Sequence, residues 1–424
     1  MPFPRLAAVL FFFSLAATGC LRKEGGAPAS FENEHERLER LYAKPDRNSY
    51  KTAAELALLD FYAGQNEVAA RRFDEAQRVA EELYTRSAGE LLASKLFNES
   101  VKSYRGPALE RWTLMLLAGM NRLQRRDREG ALVELRRLSR ELRLDADPYG
   151  EKRHERAREL YLALTGFLFA ALGSEEEGFA DSLMAYKMDA AVYPEKLKPG
   201  FLSWAQRRGL LDKEKGADAA REFVAGARGV ALSFHLSGEA PHKEEQRISV
   251  TMFDYWPIVH GMAGEQSSDA KQVEHVQSVF LGAVGRRLIT VAYAIYVRPG
   301  GSAATAPTTG LALPCGDLLM ESWEQQKSRL IAQHLVRIAL KLAGSLAAAD
   351  AIENHVQGIG GQLLGNLAAL AIWELERADL RHVRFLPNAI GLEWSWKDPG
   401  VLEAKIESKG VLPFEVPRQS IPAN

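Results

Sequence analysis

The 424-residue chain carries 54 Lys and Arg against 55 Asp and Glu, a formal net charge of −1. That balance removes the electrostatic pull toward nucleic acid that a basic chain would have. Its 46% hydrophobic residues can close a sizeable core, and its length fits two or three domains rather than a disordered polymer.

At the N-terminus, Arg5 precedes an apolar run, Leu6 to Ala17, that leads through Ala17, Thr18 and Gly19 into Cys20. A cationic start, a short apolar stretch and small residues at the cut describe an export signal. The run is about a dozen residues, short of the roughly 20 that span a bilayer. Residues 1–19 are therefore expected to be a lipoprotein signal peptide, with Cys20 the acylated residue. Ala17 stands where the usual pattern has leucine. Leu21 after the cysteine, in place of aspartate, predicts a periplasm-facing protein anchored by lipid in the outer membrane. Gly25, Gly26, Pro28 and Ser30 mark a tether, so residues 20–45 are assigned to the lipidated cysteine and its spacer. Only Cys315 remains as a second cysteine, so no intramolecular disulfide framework is expected.

Residues 46–225 form a predicted helical domain with a loose internal repeat. Leu56, Ala57, Gly64, Ala69, Phe73 and Ala76 have the spacing of a tetratricopeptide repeat (TPR). The small residue lets a second helix approach, the glycine closes the turn, and the later residues form one buried stripe. A second copy has Gly119, Ala131, Leu135 and Leu138, and a third has Gly166, Gly173, Gly178, Ser182 and Ala185. The copies lie about 62 and 47 residues apart rather than 34, so a generic antiparallel helical array is the alternative. Either arrangement is a binding scaffold. The charge-dense runs Arg122 to Arg128 and Arg136 to Arg143, and His35 between Glu34 and Glu36, are expected to be solvated.

A second regime, residues 226–424, is expected to be a small α+β domain with long helices. Strands are predicted at Gly229 to His235, Arg247 to Phe253 and Leu288 to Val297, then a loop from Gly300 to Gly310. Helices are predicted from Asp317 to about Ala351 and from Ile359 to Glu376. Short strands follow at His382 to Phe385, Ile390 to Trp396 and Leu402 to Ile406. Helices and strands segregate rather than alternate, which gives an α+β, mostly helical fold.

Few residues point to chemistry. Gly358, Gly360, Gly361 and Gly365 lack the Lys-Ser/Thr ending of a phosphate loop and read as helix-packing glycines. Cys315, just before a predicted helix start, is a candidate nucleophile without a signature that supplies a histidine and an orienting carboxylate. The histidines have no metal-ligand spacing, so neither a metal nor another cofactor is expected. Tyr255, Trp256, Trp394 and Trp396 could grip a glycan or peptide, although Trp394 and Trp396, two apart, would share one face of a strand and fit a core as well.

The segment Ala378-Asp379-Leu380-Arg381, followed by Leu386-Pro387 and preceded by Ala/Leu-rich helices and a strand ending near Pro299, resembles an uncharacterised family of Gram-negative envelope lipoproteins. His382-Val383 replaces the aromatic that usually follows the arginine there. The resemblance implies a TPR-like N-terminal part, a C-terminal α+β part, outer-membrane attachment and no known catalysis. It also implies a link to envelope assembly, because genes for such proteins often lie beside those for activators of peptidoglycan synthases. It supplies no site residues; Asp379 and Arg381 are expected to orient the turn into the following strand. Together these readings predict a non-enzymatic scaffold or adaptor for a protein or peptide. The alternative is a glycan-binding protein or envelope enzyme working through residues 226–424.

Overall fold

Ser30 starts the first helix, its hydroxyl accepting from the Asn33 N–H at 3.2 Å. The computed structural model describes residues 30–85, 103–143, 154–191, 193–210, 229–251, 288–299, 310–327 and 378–416. Within them the fold is mostly helical α+β. Helices α1 (Phe31–Tyr42), α2 (Ser49–Tyr62), α3 (Asn66–Thr85), α4 (Ala108–Gln124), α5 (Arg128–Arg143), α6 (Glu155–Ala171), α7 (Glu175–Met188) and α8 (Lys198–Arg207) come first. α1 packs on α2, so residues 31–42, assigned from sequence to the tether, belong to the helical array.

Three hairpins, α2–α3, α4–α5 and α6–α7, share one turn. In each, three successive N–H groups bond back to the end of the first helix: Ala63, Gly64 and Gln65 in the first, Arg125, Arg126 and Asp127 in the second, Leu172, Gly173 and Ser174 in the third. The middle residue is left-handed each time: Gly64 at φ 73°, Arg126 at φ 57°, Gly173 at φ 77°. Seven residues earlier stand Ala57, Gly119 and Gly166; five residues later stand Ala69, Ala131 and Gly178. At the third hairpin a Cβ on Gly166 would lie 2.9 Å from the Ser182 nitrogen, and one on Gly178 would lie 2.8 Å from the Gly166 carbonyl. The repeated small residues therefore fix how closely each pair of helices packs.

The two helices of a hairpin are not equivalent. α2 is buried at every position from Tyr50 to Phe61, and α4 and α6 are buried around most of their circumference. α5 is amphipathic, with Leu132, Leu135, Leu138 and Leu142 inward and arginines outward. A first helix buried on nearly all sides, its charged residues Glu55 and Glu110 included, needs a second cover, and the C-terminal half provides it.

That half contains β1 (Gly229–Glu239), β2 (His242–Thr251), β3 (Leu288–Val297), β4 (Leu311–Leu313), helical residues 315–327, β5 (Pro387–Lys397) and β6 (Leu402–Lys409). One sheet has the order β4-β5-β1-β6, with β1 antiparallel to β5 and parallel to β6; β2 and β3 pair antiparallel. β1 turns Val230, Leu232, Phe234 and Leu236 to the core, opposite Trp396, Trp394, Leu392 and Ile390 of β5. This face lies on α4 and α6, with the Trp394 ring 4.6 Å from that of Phe167.

The predicted strand at 382–385 is not one. Residues 378–386 are irregular, Phe385 is left-handed at φ 67°, and the Val383 and Arg384 N–H groups go to side chains of the helices rather than to a ladder. β2 starts at His242, five residues before its expected start, and β4 has no counterpart among the expected strands. Most of the helix expected from Asp317, and all of the one from Ile359 with its glycines, lie outside the described residues.

Candidate functional site

The segment 378–386 runs across the first helices as an extended ligand would. Three buried carboxylates receive it: Glu34 of α1, Glu55 of α2 and Glu110 of α4, 5%, 1% and 1% exposed. Glu110 accepts the Val383 N–H at 3.0 Å, and Glu55 accepts the Arg384 N–H at 3.0 Å. The Arg384 guanidinium then forks onto Glu55 at 2.6 and 3.0 Å and reaches Glu34 at 2.5 Å. The Tyr62 hydroxyl of α2 donates to the Phe385 carbonyl at 2.8 Å.

Around Glu110 the two halves of the chain interlock. Its carboxylate also accepts from the Tyr104 hydroxyl at 2.5 Å and the Tyr296 hydroxyl of β3 at 3.2 Å. Lys243 of β2 donates to the Arg381 carbonyl at 2.9 Å and lies over the Tyr296 ring. Arg381 grips Asp379 through two 2.8 Å bonds and stacks on Tyr104. Asp379 and Arg381 thus pair with each other and lock the bend of the segment; the expected orienting role falls on the entry to the helices as much as on β5.

The electrostatics differ between the two main carboxylates. Burial alone would push the Glu55 carboxyl up, but the Lys51 and Arg384 charges outweigh it and hold it at about 2. Glu110, with hydroxyl and N–H donors rather than a paired cation, is pushed up by burial, with Lys243 only partly offsetting this. His382, beside Lys243 and Lys51, is pushed down to about 4, chiefly by burial.

The sequence-predicted candidates fall elsewhere. Cys315 is buried, 3.9 Å from the Tyr161 hydroxyl, which pairs with Thr113 at 2.6 Å. Burial pushes its thiol up to about 12, the opposite of what a nucleophile needs. Trp394 and Trp396 face the helices, half-buried, and Tyr255 and Trp256 lie outside the described residues, as does Cys20. His35, expected to be solvated, bonds Asp60 at 2.8 Å, which also accepts from Arg72 at 3.1 Å.

The arginine-rich runs are solvent-exposed at Arg136, Arg140 and Arg143, as expected of a solvated face, while Arg122 and Arg125 are partly covered, and several of these arginines also bridge neighbouring helices. Arg122 forks onto Asp74, Arg125 onto Glu67 and Arg136 onto Glu177; Arg143 binds the fully buried Asp181. Their periodicity matched an exposed face, and the acidic partners 38 to 58 residues away carry no local signal. Among the described residues no group of three or more His, Cys, Asp or Glu could hold a metal ion, and no helix is long and apolar enough to cross a membrane. In comparisons with known proteins, no family model, no curated protein and no solved structure matches this chain.

Proposed function

We propose that this protein is a lipid-anchored scaffold of the periplasm, held to the outer membrane through Cys20, that binds a protein partner of the cell envelope. In this reading the three hairpins form a TPR-like array whose first helices hold the chain's own C-terminal half, and the partner docks outside that face. The observation that carries it is the docking of residues 378–386: carboxylates of α2 and α4 receive backbone N–H groups, and Arg384 is clamped by Glu34 and Glu55. This is the chemistry of peptide recognition used internally, and it builds one rigid platform from two halves. The burial of Cys315, 3% exposed beside Tyr161, supports this reading over an enzyme that would use its thiol.

Fractionation and crosslinking test the proposal. The intact protein should sediment with outer membranes, a Cys20→Ser variant should be released, and crosslinked envelopes should yield the same partner in replicate purifications. Retention of Cys20→Ser in the membrane, or recovery of no reproducible partner, would overturn it.

A further inference from the structure

β6 is the last strand of the four-stranded sheet: it pairs with β1 on one side, and among the described residues no strand pairs with its other side. The opposite edge, β4, is three residues long, whereas β6 runs for eight. An edge of that length presents a row of backbone N–H and C=O groups to which another strand can add. Its side chains alternate. Leu402, Ala404 and Ile406 turn to the core but are only partly covered. Glu403, Lys405, Glu407 and Lys409 turn outward and are exposed, Lys405 by 72% and Glu407 by 49%.

Charges on an edge strand ordinarily keep other strands away, and a row of one sign does so in every register. Here the outward row reads acid, base, acid, base, an order that is its own complement when reversed. Antiparallel to a second copy, with Ile406 opposite Ile406, Glu403 faces Lys409 and Lys405 faces Glu407, each twice by symmetry. Sliding one strand by two residues sets Lys405 on Lys405 and Glu403 on Glu407, or Glu407 on Glu407 and Lys405 on Lys409. Like charges then meet along the whole row. A slide by one residue sets outward residues against inward ones. Within the chain, Lys405 pairs with Glu407 of its own strand, and His235 lies 3.4 Å from Glu407 on the β1 side, away from the open edge. On the inner face the same register brings the two half-covered Ile406 side chains together.

We propose that β6 is a self-pairing edge through which two copies of this chain join their sheets. The strand order then runs β4-β5-β1-β6 in one copy and continues β6-β1-β5-β4 in the second. The alternating charges select one register and repel its neighbours, so the pairing closes as a two-fold dimer rather than growing into a stack. The contact is small beside the roughly 1,600 Å² of a standard interface, so dissociation in the micromolar range is expected. This surface does not depend on what the scaffold binds.

Sedimentation velocity of the full chain tests the pairing across roughly 1–300 µM, in a mild detergent that keeps any lipid anchor from adding to the association. A monomer–dimer equilibrium that weakens as salt is raised is expected. Lys405→Glu and Glu407→Lys each bring like charges together at two symmetric places and should weaken it about tenfold or more. Mixed with each other, these two variants restore opposite charges and should form a mixed dimer. The double swap, Lys405→Glu with Glu407→Lys in one chain, should recover the parent's association. A parent that stays monomeric throughout, single variants that associate as well as the parent, or no recovery in the mixture and the double swap would overturn the proposal. If Glu407→Lys fails to fold for want of its His235 contact, Lys405→Glu decides alone: undiminished association counts against the pairing.

Discussion

At the scale of single residues, Arg384 is the side chain whose loss would leave most behind. Truncating it to alanine removes the guanidinium from two carboxylates, Glu55 and Glu34, that are 1% and 5% exposed; Glu34 keeps Arg37, but Glu55 is left with Lys51 at 3.7 Å and the backbone N–H of residue 384. Removing one partner of a buried ion pair costs about 3–5 kcal/mol, because the remaining charge stays desolvated. We expect Arg384→Ala to lower the urea midpoint by a corresponding amount. Arg384→Lys should recover only part of it, since an ammonium cannot fork onto both oxygens of Glu55. The same pair sets an acid limit. The Glu55 carboxyl is held at about 2 in the fold, below its ordinary 4.5, so the folded state binds fewer protons than the unfolded chain in between. Its contribution is complete above about 4.5 and is lost as the pH falls toward 2. Acid titration followed by circular dichroism should therefore show Arg384→Ala unfolding at higher pH than the parent. Coincident acid midpoints would mean that the pair does not hold Glu55 ionised.

At the scale of elements, the shared hairpin turn makes opposite predictions at equivalent positions. Gly64 sits at φ 73° with nothing within 4 Å of an added Cβ, so Gly64→Ala tests backbone strain alone, and about 1 kcal/mol of destabilisation is expected. Arg126 occupies the same place at φ 57° as an exposed non-glycine residue; Arg126→Gly should stabilise by about 0.5–1 kcal/mol. At the closest seam, Gly178→Ala pushes a methyl to 2.8 Å from the Gly166 carbonyl and 2.9 Å from the Ala170 nitrogen, both backbone atoms that cannot move aside cheaply. That overpacking should cost about 1–3 kcal/mol, measured by thermal unfolding. These hairpins were legible in sequence because the small residues twelve apart, Ala57 and Ala69, Gly119 and Ala131, Gly166 and Gly178, are a local pattern enforced by local geometry. β3 was legible for a similar reason, with its run of Ile, Val and Tyr from Leu288 to Val297. Residues 378–386 were not. Val383, Phe385 and Leu386 look like strand formers, and what overrides them is a set of bonds to Glu110 and Glu55 that lie 273 and 329 positions earlier. The arginines of α5 are exposed as their polar stripe implies, but their acidic partners were not legible for the same reason: which acidic residue an arginine meets depends on a neighbouring hairpin.

At the scale of the whole molecule, the two halves need each other's apolar surface. α4 and α6 are buried on the side facing the sheet, and α2 on the side facing residues 378–386, as well as on the side facing their hairpin partners. The sheet likewise buries Val230, Leu232 and Phe234 against those helices. Its topology reinforces this: β1 at residue 229 is completed only by β5 and β6, more than 150 residues later, and the chain reaches β5 through the segment clamped by Glu55 and Glu110. Neither half therefore closes a core alone. A fragment of residues 30–210 would uncover Phe31, Leu164 and Phe167, which meet Phe414, the sheet and Trp394, and would leave Glu55 and Glu110 without the donors that 378–386 brings. Such a fragment should keep helical circular dichroism but lose a sharp thermal transition and bind a hydrophobic dye. The full chain should melt in one calorimetric transition, with the calorimetric and van't Hoff enthalpies equal. Two separated transitions, or a cooperatively folding 30–210 fragment, would mean that the helical array stands alone. In that case its inner face would be open to outside ligands whenever the C-terminal half detached, and the partner could enter along the path that residues 378–386 now occupy.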